Sequence, residues 1–287
     1  MTHSDSKKAS DSLISVIICT RNRRNLVVRA IDSVMTQQFV RTEIIVVDDA
    51  SEDDTVSVLH QRYSGRIIVV GLKANRRVAA ATNIGFGNSA GEFIALLGDD
   101  DYWSDSKKLM KQLSAFDENG SGLGIVGTWW SERHDSGELS ARRPGEPSNW
   151  TERLLQSGGI ICGSTPLIRR SAWLAAGGLD ERMPRGTDSD LFRRIVLAGY
   201  QARIIQQDTT VVDVSHGLTR MTASRGFREA GRIAWVHGYI LWKYRRYYPR
   251  YPKAMWKRIK SLALGFVAAI YKTLTHFIQG VTVERKS

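Results

Sequence analysis

The chain has 287 residues, with 41 Lys/Arg against 29 Asp/Glu and a formal net charge of +12. That length buries a sizeable core, and the composition is ordinary for a soluble globular protein. Two distant cysteines, Cys19 and Cys162, with no CxxC, exclude a disulfide framework and a zinc site and fit a reduced cytosolic setting. The charge is unevenly placed. Gly217 to Ser287 carries 15 basic and 2 acidic residues, and the rest carries 26 and 27. Any partner of the excess positive charge therefore belongs to that C-terminal segment.

The polar stretch Met1 to Asp11 has no apolar core, so it reads as a disordered tail and not as a signal peptide. Leu13 to Cys19 is a β-branched apolar run and predicts a first parallel strand. After the polar turn Thr20-Arg21-Asn22-Arg23, Asn25 is placed to cap a helix whose apolar positions run Leu26, Ala30, Ile31, Val34, Met35. Glu43 to Val47 predicts a second strand, ending in Asp48-Asp49-Ala50-Ser51, and Asp53-Asp54 opens a helix to about Gln61. Ile67 to Val70 predicts a third strand, Val78 to Ser89 a helix, Phe93 to Leu97 a fourth strand and Asp105 to Phe116 a helix. Four strand-then-helix repeats specify a parallel sheet with right-handed crossovers. Asp48-Asp49 and Asp99-Asp100-Asp101 should then share one sheet edge, where open α/β sheets bind ligands.

Three packed carboxylates are unfavourable unless a cation or strong donor sits among them. Oxygen ligands of this kind suit a hard divalent cation such as Mg²⁺ or Mn²⁺ that also holds a phosphate. An acidic turn capping the following helix is the equal alternative on these residues alone. Beyond Gly120, Ile125 to Gly127 reads as a short strand and Ser131 to Asn149 as a loop. Ile160 to Ile168 reads as a strand bent at Gly163, and Ser171 caps a short helix. Asp188 to Ala198 reads as a helix, followed by short strands at Arg203 to Ile205 and Thr210 to Asp213.

Taken in order, Ser15 to Asn22, Val46 to Ser51, Asn83 with Ala90 to Phe93, the Asp99 to Trp103 turn and Gly177 to Glu181 resemble the family-2 glycosyltransferases of GT-A fold. The resemblance runs from Leu13 to about Ser224. It implies a GT-A, nucleotide-diphospho-sugar transferase-like α/β fold, with a Rossmann-type mixed sheet flanked by helices and a C-terminal helical extension. The implied domains are a tail over 1–12, a catalytic domain over 13–220 and an extension over 221–287. The catalytic domain divides into a nucleotide-sugar half over 13–118 and an acceptor half over 119–220. The implied reaction is inverting transfer of a sugar, from a UDP-sugar most readily, to a glycan or lipid-linked hydroxyl.

By the resemblance, Thr20, Asn22, Asp49, Arg76, Asn83 and Asp99 contact the nucleotide-sugar, with Asp49 on the base. Arg76 or Arg77 is available to the phosphates. Asp100 holds the metal, Mg²⁺ or Mn²⁺, and Asp101 is structural. Asp188 is the catalytic base, and His216 lies where many members place a further metal or phosphate ligand. Three positions depart from the family pattern: Gly98 replaces the first Asp of the turn, Thr187 the acid before the base, and Thr82 an Arg. They motivate the rival reading, a GT-A-like module that binds a nucleotide or glycan without turnover. Alternatives stand beside single residues. Asp188 could only cap its helix with Asp190 as the functional acid, and His216 could be an ordinary loop histidine. Cys19 reads as a buried strand-end residue, Trp103 as packing, and Trp129 and Trp130 as acceptor-site lining or core.

Thr222 to Tyr248 predicts one helix and Lys253 to about Gln279 another, with Trp, Tyr, Lys and Arg interleaved. The apolar run Ser261 to Tyr271 falls well short of the ~20 residues that span a bilayer. Basic residues with aromatic belts suit a helix in the interface of an anionic membrane, which implies a cytoplasmic enzyme peripheral on the inner face. Packing on the domain or on a second copy is the alternative; nucleic acid is set aside.

Overall fold

The computed structural model describes residues 9–215 and 227–284. The N-terminal β-branched run forms β1 (Leu13–Thr20), flanked by β2 (Arg41–Asp48) and β4 (Phe93–Gly98), with β3 (Ile68–Gly71) beyond β2, all parallel. Both faces of β1 are covered, as a continuous apolar run requires. Ile14, Val16 and Ile18 pack with Val27, Ala30 and Ile31 of α1 (Arg24–Met35), with Leu59 of α2 (Thr55–Tyr63) and with Leu109 and Leu113 of α4 (Lys108–Asn119). On the other face Ile17 packs with Ala79 of α3 (Arg77–Gly87). The register pairs Thr20 with Asp48 and Cys19 with Gly98. The two carboxylate-bearing strand ends therefore do share one edge.

The sheet continues as a mixed sheet in the order β3-β2-β1-β4-β8-β6-β9-β5. Here β5 is Tyr102–Trp103, β6 Leu123–Arg133, β8 Leu167–Arg169 and β9 Gln201–Asp213, and β7 (Leu139–Arg142) pairs with β6. β8 runs antiparallel to β4 and β6, whereas β9 is parallel to β6.

Several expectations in this half are corrected. The two short strands after 200 are one 13-residue strand, because Gln206, Gln207 and Asp208 are exposed mid-strand and break its apolar pattern. The short strand at 125–127 is the middle of 11-residue β6, which continues into the β6–β7 hairpin where a loop was expected. Only 167–169 of the expected 160–168 strand is extended; Ile160 and Ile161 instead plug the core from a loop. A helix missed in the sequence, α5 (Trp150–Gln156), is capped by Asn149, whose side chain accepts from the Glu152 N–H at 2.9 Å. Arg23 and Arg169, not Asn25 and Ser171, stand at the N-caps of α1 and α6 (Arg170–Ala176), with no side-chain capping bond. Residues 1–8 of the expected tail lie outside the described residues. Ala9–Asp11 forms a helical turn, and its Ala9 N–H donates to Asp117 at 2.6 Å.

Helices α8 (Phe227–Lys243) and α9 (Pro252–Glu284) pack on each other and on the sheet domain. Val236, Ile240, Tyr244 and Tyr248 bury against Leu155 of α5 and against Met183. The polar part of this seam centres on Asp190 of α7 (Thr187–Leu197), which is fully buried. It accepts from Tyr244 Oη at 2.6 Å, Lys243 Nζ at 2.8 Å and Arg194 Nε at 2.8 Å. Lys243 also donates to Asp180 at 2.7 Å, and Tyr239 Oη to Asp180 at 2.8 Å. These cations hold Asp190 below the usual carboxylate range despite burial. Asp190 is thus a structural clasp between α7 and α8. Removing one member of a buried ion pair leaves the others uncompensated, which costs about 3–5 kcal/mol. Asp190→Ala should therefore lower unfolding free energy by roughly that amount in urea titration, and a loss under about 1 kcal/mol would contradict the clasp.

Candidate functional site

A cavity of about 1070 Å³ opens at the carboxyl edge of β1, β2 and β4. Its floor comes from the strand ends: Thr20, Asp49 and Asp99. One wall is the β1–α1 turn from Arg21 to Leu26, and another is Asn75, Arg77, Val78 and Ala79 at the start of α3. Glu181, Met183 and Pro184, and Arg232 of α8, close the far side. Three of the four non-glycine residues at positive φ among those described stand at this edge: Asn22 (54°), Ala50 (63°) and Arg77 (67°). Such backbone strain persists where surrounding structure fixes it, and it clusters at ligand sites. Here cross-links fix it. Asn22 N–H donates to Ser51 Oγ at 2.9 Å, and Asn22 Oδ1 accepts from Glu52 N–H at 2.7 Å. Arg76 and Arg77 N–H donate to the two oxygens of Asp49 at 2.6 and 3.0 Å. Asp49 therefore shapes the pocket floor while facing the cavity.

The acidic turn divides its work. Asp101 is buried: Ser164 Oγ donates to one oxygen, and the Asp213 N–H to the other at 3.0 Å. Both of its oxygens are thereby spent on the protein. Arg23 Nη1 lies 2.9 Å from Asp99 Oδ1 and 3.2 Å from Asp100 Oδ2, so one cation already sits between the two remaining carboxylates. Burial pushes Asp99 up to about 6, against the pull of Arg23 and with a push from Asp100. Two oxygen donors converging on one positive centre is the set Mg²⁺ or Mn²⁺ takes from protein when phosphates supply its other ligands. The donor set of Asp99 and Asp100 fits such an ion. Among the described residues no cluster of three or more His, Cys, Asp or Glu side chains forms a complete cage. His216 lies outside the described residues.

The departure at Gly98 has a packing cause. A Cβ there would stand 3.0 Å from oxygens of both Asp100 and Asp101 and 3.2 Å from Ser164 Oγ. The absence of a side chain lets Ser164 enter the turn, where it also accepts from the Gly98 N–H at 3.0 Å. The same loop carries Gly163, whose ideal Cβ would lie 3.0 Å from Asp188 Oδ2. Residues 163–164 therefore lie between the acidic turn and Asp188 and contact both. Asp188 is half-buried in the first turn of α7, its Oδ1 accepting from the Ser189 N–H at 2.7 Å. Burial raises its pKa above the ordinary carboxylate value.

Other expected contacts lie elsewhere. Asn83 does not line the cavity: its amide bridges to Leu179 N–H at 2.8 Å, Leu179 O at 3.0 Å and Glu181 at 3.0 Å. It ties α3 to the loop that forms the far wall. Arg77 lines the cavity and Arg76 does not, although its N–H holds Asp49. Cys19 hydrogen-bonds Thr82, and burial pushes its thiol up to about 12, so it is inert as a nucleophile. Trp103 is packed, with Lys108 4.3 Å from its ring centroid. Trp130 is core, while Trp129 is partly buried and donates to Pro144 O at 2.9 Å. The sequence reading missed Arg23, Ser164 and Arg232. The signal for Arg23 was the three carboxylates themselves, which require a cation.

Comparison with known proteins agrees with this geometry. The sequence model of Glycosyl transferase family 2 matches residues 15–173. EpsE of Bacillus subtilis (strain 168), which carries a glycosyltransferase name, is 31% identical over 68% of this chain and 70% of its own. The UDP-Glc:alpha-D-GlcNAc-diphosphoundecaprenol beta-1,3-glucosyltransferase WfaP of Escherichia coli is 33% identical over 33% of this chain, a span of only 38% of WfaP. Among solved structures, S. aureus TarS in complex with UDP-GlcNAc superposes with a TM-score of 0.60 at 18% identity, over 79% of this chain and 66% of that one. The mannosyltransferase PcManGT of Pyrobaculum calidifontis, in complex with GDP-Man and Mn²⁺, gives 0.60 at 18% identity, over 98% of this chain and 83% of that one. At that identity the likeness is one of fold, and the fold is GT-A. With its fold, its ordered motifs and the family match over more than half its length, the chain belongs to glycosyl transferase family 2 and is a glycosyltransferase.

Proposed function

We propose that the protein is a metal-dependent, inverting glycosyltransferase that moves a sugar from a nucleoside-diphosphate donor to a hydroxyl of a lipid-linked or surface-polysaccharide glycan. The observation that carries this reading is the convergence of Asp49, Asp99 and Asp100 on one sheet edge, with Asp188, which does not line the cavity, packed against Gly163 of the loop whose Ser164 enters the acidic turn. Complexes of TarS with UDP-GlcNAc and of PcManGT with GDP-Man support a nucleotide-sugar donor, and the name of WfaP supports a diphosphate-lipid acceptor. Residues 13–118 form the donor half and residues 119–220 the acceptor half in this reading.

Thr20, Asn22 and Asp49 line the part of the cavity that receives the nucleoside, and Arg77 the part near the phosphates. Asp100, with Asp99 beside it, would hold Mg²⁺ or Mn²⁺, which would neutralise charge on the departing diphosphate. Asp188 accepts the proton of the attacking hydroxyl. Its raised pKa brings it nearer to neutrality, which improves a general base. With no protein nucleophile between acceptor and donor, the anomeric configuration inverts.

The basic extension serves location. One face of α8 and α9 is buried on the domain, while the other exposes Trp242, Trp256, Leu264, Phe266, Val267 and Ile270 beside Lys253, Lys257 and Lys260. Apolar and aromatic groups flanked by lysines suit the interface of an anionic membrane. No helix among the described residues is long and apolar enough to cross one. The extension thus holds the enzyme peripherally, on the cytoplasmic face where nucleotide-sugars are supplied.

Four outcomes test this account. Asp188→Asn should cut kcat by about 10²–10⁴-fold while donor affinity, by calorimetry, stays within a few fold. In the wild type, Asp188 loses function as pH falls and it protonates, so the acid limb of kcat should lie above the ordinary carboxylate range; a flat profile down to pH 4 removes it as the base. Proton NMR of the product should show the anomeric configuration opposite to the donor's, and retention refutes direct displacement. Trp256→Glu with Ile270→Glu should abolish sedimentation with phosphatidylglycerol vesicles at unchanged melting temperature. Equal sedimentation ends the membrane reading.

A further inference from the structure

Arg23 bridges two carboxylates of the acidic turn. Its Nη1 bridges Asp99 Oδ1 at 2.9 Å and Asp100 Oδ2 at 3.2 Å, and its side chain is 19% exposed in the cavity wall. The adjacent arginines are directed differently: Arg21 to Ala50 O and Glu52, and Arg24 to Asp54. Arg23 alone of the three reaches the acidic turn, and it does so from the residue where β1 gives way to α1. This contact answers the repulsion within the turn, and it sets a condition on any cation that enters. A guanidinium and a metal ion cannot share the same two oxygens without close like-charge approach.

We infer that Arg23 is a resident counter-ion that makes metal and donor binding cooperative: the metal displaces it from Asp99 and Asp100, and the donor diphosphate receives it. This rests on the reading of the cavity as a metal and nucleoside-diphosphate site. A metal entering alone must break two ion pairs and leave Arg23 against the new positive charge. A metal entering with a diphosphate offers Arg23 an anion in exchange, and planar guanidinium groups pair well with phosphate oxygens. Arg23 needs little travel, since it stands in the wall of the same cavity as Asp99 and Arg77. The consequence is a coupling between sites, and it is reciprocal: UDP must raise Mn²⁺ affinity by the factor by which Mn²⁺ raises UDP affinity. Arg23 is therefore a positioning residue, which keeps the carboxylates ordered before the donor arrives and delivers a charge to the donor afterwards.

The test is Mn²⁺ titration of the full chain, read as free Mn²⁺ by EPR, with and without UDP or GDP. Arg23→Gln should bind Mn²⁺ alone about tenfold more tightly than the wild type, as the loss of one competing ion pair predicts. The factor by which the nucleotide tightens Mn²⁺ should shrink in the same variant. Arg23→Lys, which keeps the charge, should fall between. Arg24→Gln, which removes an equal charge from the same cavity wall, should leave Mn²⁺ affinity within about twofold. Equal nucleotide-free Mn²⁺ affinity in Arg23→Gln and the wild type, both folded by thermal melting, overturns the inference. So does an equal gain in Arg24→Gln, which would mean a general field effect. Failure of the wild type to bind Mn²⁺ even with UDP or GDP would instead overturn the metal reading under Proposed function.

Discussion

Three adjacent carboxylates at the end of β4 set the terms for the rest of this fold. Two unit charges 4 Å apart cost about 4 kcal/mol at the effective dielectric typical of such sites, so three cannot stand together unpartnered. The chain supplies partners from three distant places. Arg23 comes from the β1–α1 turn, Ser164 from the loop before β8, and the Asp213 N–H from the end of β9. Asp213 is itself clamped by Arg133 and by Arg29, the latter at 2.9 Å, which with Ser215 holds it far below the usual carboxylate range. The turn is thus the knot that joins the first four strands to the mixed second half of the sheet. The departure at Gly98, which looks like a lost ligand in the sequence, is the gap through which Ser164 reaches that knot.

Much of this was legible in the sequence, and the reason is local. The first four strands are short β-branched runs separated by helical patterns, so their parallel order and shared carboxyl edge follow from periodicity. Trp103's packing also held, because it needed no long-range partner to be identified in advance. The second half was read less well where tertiary contacts override local pattern. Strand β9 carries Gln206, Gln207 and Asp208 in exposed mid-strand positions, which hid its continuity. The segment 158–166 is apolar enough to pass for a strand, yet Gly163 is held against Asp188 and Ser164 is pulled into the acidic turn. Asn83 lies within a family-like motif but spends its amide on the backbone of Leu179. Contacts of that kind have no sequence signature.

The extension is tied to the chemistry through α7. Asp188 and Asp190 stand two residues apart on its first turn and face different environments. One abuts the 163–164 loop beside the donor site; the other is closed in by Lys243, Tyr244 and Arg194. The helix that bears the proposed base is therefore bolted to α8, and α8 also brings Arg232 to the cavity. In the proposed function, the segment that meets the membrane with its outer face thus supports the base with its inner face.

The most direct measurement is a crystal structure of the protein with an intact nucleoside-diphosphate sugar, or a non-hydrolysable analogue, and Mn²⁺. The account predicts the base over Asp49, the metal and diphosphate at Asp99 and Asp100, and the anomeric carbon turned toward Asp188. A nucleotide bound away from the edge of β1, β2 and β4, or a sugar with Asp188 on the same side as the leaving diphosphate, would contradict it.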